Sequence, residues 1–355
     1  LMTKTIETID TPAFVVNEAV ALRNIMKFQA HCNHAGLALR PHIKTHKSIH
    51  FAKAQLAAGA IGITCQKISE AEAMVADGIK NIFITYNILG SAKLARLRAL
   101  SDRLSALSVV ADNMAVVRGL AQTYEYAAHP LTVLVECDTG GGRCGVQTPE
   151  AAAKLAKKIY NAPGLIFGGL MTYPAIAGSK DVVQFMKKAK RLLDANNLAC
   201  PVISSGGSPD MWKAATDNII TEYRIGTYIY NDRSLVEYGT CKWKDCAGHV
   251  VATVVSTPTA ERAVIDAGSK VLTSDLLGLQ NYGYVLSHPE IIIDGLSEEH
   301  STLKVNPKNP LAIGEKIQII PNHVCVVSNM FDKIWILSMN GKISQLTINA
   351  RGKVV

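Results

Sequence analysis

From about residue 37 to residue 230, short apolar and β-branched runs alternate with amphipathic stretches. The runs at 37–44, 61–65, 82–86, 107–111, 131–138, 168–173, 202–205 and 222–228 read as strands. Between them, 69–77, 91–102 and 149–160 carry apolar positions at helical spacing. Strand and helix alternating at this interval predict right-handed βαβ units and a parallel sheet. Eight such units in under two hundred residues predict a (β/α)8 barrel, an α/β fold. The alternative is an open doubly wound sheet, whose first strand is normally followed by G-x-G-x-x-G. That fingerprint is absent.

Beyond residue 240 the pattern changes. The segments 250–256, 262–266, 316–320 and 334–337 are β-rich and separated by turn residues, with no helical period between them. They predict a smaller, mostly antiparallel domain. The expected division is a barrel over 12–240 and a β-domain over 241–355, joined by residues 1–11.

Composition narrows the class. The 355 residues are 48% hydrophobic and 19% charged, which suits a globular chain with a sizeable core. The net charge of +8 is dispersed, which points to solubility or an anionic small ligand rather than nucleic acid. Leu1-Met2-Thr3-Lys4 lacks the regions of a signal peptide, and no apolar stretch reaches the length of a membrane span. The eight cysteines form no C-x-x-C. Free thiols in a cytoplasmic protein without membrane contact are therefore expected.

Chemistry enters with the first strand. Side chains on a strand alternate faces, which sets Ala38, Arg40, His42 and Lys44 against Leu37, Leu39, Pro41 and Ile43. With the apolar face turned to the helices, the polar set faces the barrel interior. Lys44 then lies at the strand's C-terminal end, where barrel active sites gather; Lys47 is out of phase. A lysine that attacks a carbonyl must be neutral, and burial among Arg40, His42, His46 and Lys47 favours that state. An anion patch or a solvated strand end accounts for the same residues equally well.

Ser205-Gly206-Gly207-Ser208 follows the seventh strand and Gly226-Thr227-Tyr228 ends the eighth. Loops there commonly cradle phosphate in barrels, since glycine lets N–H groups approach the oxygens. Arg143 closes the glycine run 140–142 after the fifth strand; an ion pair with Glu136 or Asp138 is the alternative reading. Gln66 and Tyr173 are expected to line the pocket, and Arg224 lies just before the last loop. His323 and Cys325 share a face if the strand at 317–320 continues, and imidazole with thiolate suits zinc. Taken alone, H-x-C describes a core histidine beside a buried cysteine at least as well.

The segment Arg40-Pro41-His42-Ile43-Lys44-Thr45-His46-Lys47 resembles the lysine motif of the D-threonine aldolase and D-serine dehydratase family. These are fold-type III pyridoxal-phosphate enzymes, built like the alanine racemases. The likeness continues through 65–70, 136–145, 204–208, 221–228, 264–268 and Pro321-Asn322-His323-Val324-Cys325, in family order. The resemblance implies pyridoxal 5'-phosphate held as a Schiff base on Lys44. His42 and Arg143 join Lys44 as expected catalytic residues. Gln66, Tyr173, Ser205–Ser208, Arg224, Gly226, Thr227 and Tyr228 are the expected cofactor contacts. It also implies a divalent metal on His323 and Cys325, a small D-amino acid substrate, and a homodimer. Family aldolases often carry H-x-D at the metal pair and the dehydratases H-x-C, so Cys325 favours zinc over manganese or magnesium. Some aldolases place a histidine after the tyrosine; here Pro174 stands there and cannot accept a proton. The expected activity is D-threonine aldolase-type cleavage to glycine and an aldehyde. D-serine dehydratase is the alternative, with a racemase or a non-catalytic pyridoxal-phosphate carrier behind it.

Overall fold

The computed structural model of the chain describes residues 5–214 and 217–355. The reading made on Leu1–Lys4 lies outside them. The first strand, β1 (Ala13–Asn17), precedes eight parallel strands: β2 (Ala38–Leu39), β3 (Ile63–Cys65), β4 (Asn81–Ile84), β5 (Ala106–Ala111), β6 (Leu131–Cys137), β7 (Leu165–Thr172), β8 (Val202–Gly206) and β9 (Glu222–Arg224). The eight form one sheet in the order β2-β9-β8-β7-β6-β5-β4-β3, with helices such as Ile68–Val75, Met114–Tyr124 and Ser179–Ala195 between them. Every strand in it runs parallel to its neighbours.

The two ends of this sheet meet. His42 makes a parallel bridge with Thr64. The Ile43 N–H donates to the Thr64 carbonyl (3.0 Å), and the Thr64 N–H donates to the Pro41 carbonyl (2.7 Å). The barrel is closed, and the open-sheet alternative falls. β2 is shorter than the run 37–44 suggested, because Pro41 has no N–H for a ladder and the chain turns after His42.

Phe83, Val110, Leu134 and Met171 form one buried cluster from four successive strands. Further along β6, Glu136 has the same phase as Leu134 and so faces the same side near the strand's C-terminal end. Polar groups fill another part of the interior. The Arg40 Nε donates to Glu222 Oε2 at 3.0 Å, the Ser204 hydroxyl donates to Glu222 Oε1 at 2.8 Å, and Arg224 donates to the Ser204 hydroxyl at 2.5 Å.

The other strands are β10 (Gly248–Thr259), β11 (Arg262–Ile265), β12 (Tyr284–Val285), β13 (Ile292–Leu296), β14 (Ser301–Lys304), β15 (Lys316–Ile320), β16 (Lys333–Leu337) and β17 (Ile343–Thr347). With β1 they build a nine-stranded, mostly antiparallel sheet. β1 lies between β10, antiparallel, and β16, parallel. This pairing explains how the chain divides. Residues up to Met26, Thr45–Ser48 and Thr227–Gly352 form the β unit; Lys27–Lys44, Ile49–Gly226 and Lys353–Val355 form the barrel unit. The sequence pattern had placed the borders at 12 and 240.

Among the described residues no helix is long and apolar enough to cross a membrane. None of the eight cysteines is in a disulfide.

Candidate active site and candidate metal centre

In the barrel unit, Lys44 stands in a turn just after the His42 bridge, not at the end of a continuous strand. His42 fixes that turn. The Lys44 N–H donates to His42 Nδ1 (3.2 Å), so the imidazole proton resides on Nε2, which lies 3.1 Å from Gln66 Oε1. The Gln66 amide nitrogen in turn donates to the Thr85 carbonyl at 2.8 Å. His42 and Gln66 therefore hold the backbone that carries Lys44.

The Lys44 Nζ lies 5.9 Å from the centre of the Tyr173 ring, and the Arg143 guanidinium lies 4.8 Å from the same centre. Two cations thus flank one half-exposed aromatic ring at the end of β7. Among the described residues Arg143 forms no ion pair, so the alternative pairing with Glu136 or Asp138 is not what holds it. Beside this ring opens a cavity of about 350 Å³, lined among others by Glu136, Arg143, Tyr173, Gly206, Gly207 and Asp210. That volume suits a small molecule.

The loop Ser205–Ser208 forms one wall. Its Gly207 N–H donates to the Arg224 carbonyl (3.1 Å), and the Tyr223 hydroxyl donates to the Gly207 carbonyl (2.5 Å). A side chain at Gly206 would strike the Arg224 backbone, whereas Gly207, at φ +110°, faces open space. A loop pinned from below and open above can admit an anionic group to its backbone. Arg224 itself is wholly buried, donating to Ser204, the Ser205 carbonyl (3.2 Å) and the Thr172 carbonyl (2.9 Å). Burial brings its pKa down to about 10 against the pull of Glu222 and Glu136. The strand expected over 222–228 stops at Arg224; Thr227–Ile229 is a 3-10 turn, and Tyr228 is buried.

Glu136 was not singled out from sequence. It is buried in the cavity wall, and burial raises its carboxyl pKa although Arg224 and Arg143 pull it down. A carboxyl whose pKa is raised on folding costs stability as pH climbs from its ordinary value through the raised one. Glu136→Gln is therefore expected to gain thermal stability over wild type as pH rises above about 4.5, with the gain levelling off once the native carboxyl is ionised. Melting curves at pH 5 and pH 8 read it, and an equal difference at both would contradict the assignment.

In the β unit, His323 and Cys325 are not on a continued strand. β15 stops at Ile320, and His323 is the N-cap of the short helix Val324–Asn329. They nonetheless stand together at that N-terminus, His323 as the cap and Cys325 in the first turn, close enough for the thiol to act on the imidazole's pKa. The Cys325 Sγ lies 3.0 Å from the Thr45 hydroxyl and 3.3 Å from the Thr227 hydroxyl. The His323 Nδ1 lies 2.8 Å from Asp275 Oδ2. Buried Asp232 accepts the Val324 N–H at 3.0 Å. Burial pulls the His323 pKa down, but Cys325, Asp275 and Asp232 outweigh it and lift it to about 9. Among the described residues no three His, Cys, Asp or Glu side chains gather as a metal cage. The donor set that fits an ion is thus one imidazole and one thiolate, leaving coordination positions open.

A closed parallel barrel with a lysine at its mouth, and a separate β sheet, together define the fold-type III arrangement. Residues 16–234 match the family described as "Alanine racemase, N-terminal domain", and 247–337 match "Putative serine dehydratase domain". A D-threonine aldolase of Arthrobacter sp. is 32% identical over 362 residues, covering 97% of this chain and 93% of the relative. The solved D-threonine aldolase of Filomicrobium marinum superposes with a TM-score of 0.92 at 29% identity, covering all of both chains. The D-threo-3-hydroxyaspartate dehydratase of Delftia sp. HT23 gives 0.87 at 28% identity, covering 97% of this chain and 98% of that one. The chain belongs to the alanine racemase N-terminal domain family, among the fold-type III lyases that comprise D-threonine aldolases and D-serine dehydratases. Membership implies pyridoxal phosphate as the cofactor.

Proposed function

We propose that this protein cleaves D-β-hydroxy amino acids of the D-threonine type to glycine and an aldehyde, with pyridoxal phosphate on Lys44 and zinc on His323 and Cys325. The observation that carries the cofactor assignment is the place of Lys44: at the barrel mouth, its amine within 6 Å of the Tyr173 ring, in a unit that also offers an open glycine-serine loop. When bound, pyridoxal phosphate supplies an electron sink for the breaking bond, and a divalent ion supplies a Lewis acid for the β-hydroxyl.

The chain's own residues do the rest. Lys44 holds the cofactor through its amine and afterwards is free to move a proton at the substrate Cα. Arg143, stacked on Tyr173, offers a positive charge to a ring oxygen or a substrate carboxylate. The Ser205–Ser208 loop receives the phosphate at Gly207 and Ser208, braced by the Tyr223 hydroxyl. Gln66 and His42 keep the Lys44 turn in place. Arg224, Gly226, Thr227 and Tyr228 are proposed as the remaining cofactor contacts, Arg224 through the Ser204–Ser205 backbone and hydroxyl that it holds.

Retro-aldol cleavage needs a proton removed from the β-hydroxyl; dehydration needs one removed from Cα. Pro174 supplies no acceptor for the first, and Cys325 favours zinc; both observations keep D-serine dehydration as the second reading. Incubation of the purified protein with D-threonine and with D-serine separates the two. Glycine and acetaldehyde from D-threonine are expected. Pyruvate from D-serine without glycine from D-threonine would instead establish the dehydratase. The protein is proposed to act as a homodimer, which light scattering on the same preparation reads.

A further inference from the structure

We infer that Asp275 is the positioning residue of the candidate metal centre: it holds His323 through Nδ1, so that Nε2 alone is presented beside the Cys325 thiol. The inference rests on the assignment of a metal to His323 and Cys325 and deepens it. An imidazole has two nitrogens, and which of them binds a metal is set by the hydrogen bond that the other makes. Here the Asp275 carboxylate occupies Nδ1 at 2.8 Å, which leaves Nε2 as the nitrogen that can meet an ion shared with Cys325 two residues on. A carboxylate on the far nitrogen makes the near one a stronger electron donor and stops the ring from turning.

Asp275 is not brought there by chance of a mobile side chain, because the segment that bears it is tied to the histidine's own neighbour. Buried Asn322 donates from its amide nitrogen to the Asp275 carbonyl (3.2 Å) and to the Asn281 carbonyl (2.8 Å). Its amide oxygen accepts the Gly283 N–H at 2.9 Å. One side chain, adjacent to His323, thereby clamps both ends of the 275–283 loop. The loop and its approach are also locally costly: Leu277 and Asn281 within it, and Thr273 just before it, stand at positive φ, between 49° and 66°. A backbone held in sparsely populated conformations around one carboxylate is the kind of expense found where a group must be aimed. Asp275 lies 48 residues before His323, and nothing in the local pattern links the two.

The test compares zinc affinity, by competition with a chromophoric chelator, for wild type, Asp275→Asn, Asp275→Ala, His323→Ala and Cys325→Ala. Cobalt-loaded samples add the thiolate-to-metal absorption band, which reads whether Cys325 is still a ligand. Asp275→Ala is expected to weaken zinc binding about 10–100-fold, with the cobalt–thiolate band retained and Asp275→Asn falling between it and wild type. The Asp275 side chain is nearly half exposed, so neither variant removes part of the core. Unchanged affinity in Asp275→Ala, alongside loss in His323→Ala, would overturn the positioning role while leaving the metal assignment standing. Loss of the thiolate band in Asp275→Ala would overturn it too, since Asp275 would then be holding the ligand set together rather than aiming one member. Wild type no tighter than His323→Ala and Cys325→Ala would instead overturn the metal assignment itself, and this inference with it.

Discussion

Lys44→Ala is expected to lose the yellow absorbance of lysine-bound pyridoxal phosphate and to lower kcat by about 10²–10⁴-fold, the range associated with one positioned proton-transfer group. The physical case is positional. The Lys44 backbone N–H is fixed on His42 Nδ1, and its amine reaches the Tyr173 ring at the cavity's edge. Lys47, three residues on, is the natural control. It is buried at 5% exposure, has φ +51°, and its carbonyl accepts the Ala350 N–H, which ties it into the β sheet's unit. Lys47→Ala should therefore disturb stability before it disturbs absorbance. Spectra of the two purified variants decide the matter. Absorbance retained in Lys44→Ala and lost in Lys47→Ala would move the cofactor to the other lysine.

The second large effect is on stability. Glu222→Leu is expected to cost about 3–5 kcal/mol, read as a shift in the denaturant midpoint, because it strips the anion from a buried charge cluster. The Glu222 carboxylate is 4% exposed, accepts from Arg40 and Ser204, and stabilises the charged form of wholly buried Arg224. Its removal leaves two interior guanidinium groups without that counter-charge. An exposed pair sets the scale. Lys53 and Asp77 are as close, at 2.8 Å, but both side chains are about half exposed, and Asp77→Asn should cost less than about 1 kcal/mol. Equal shifts for the two variants would show that burial does not govern the Glu222 contacts.

Much of both units was legible because the signal is local. β15 and the helix at 149–160 were readable to the residue, and β5 to within one, since apolar periodicity and flanking turn residues define them. What failed was partnership at a distance. Ala13-Phe14-Val15-Val16 is plainly strand-like, yet only the structure shows it joining β10 and β16 instead of the barrel. Alternation chose Lys44 over Lys47, but by extending a strand to Lys44, whereas the backbone pairing ends at Ile43 and Lys44 stands in a turn. For His323 and Cys325 the expected strand phase does not hold: a helix N-terminus carries both of them. Asp232 and Asp275, 92 and 48 residues upstream of their hydrogen-bonding partners Val324 and His323, lie beyond any local pattern. Glu136 was visible as the last inward position of β6, a signal that went unused.

The barrel's closing seam has an implication for any attempt to redesign it. The backbone bonds that join Pro41 and Ile43 to Thr64 also set where the Lys44 turn begins. Fastening the sheet and placing the Lys44 amine are therefore one structural act, performed by one tripeptide. A permuted or repacked version opened elsewhere on the circumference keeps its chemistry in principle. One opened at this seam surrenders both together, so selection for a sturdier barrel here is also selection on the placing of Lys44.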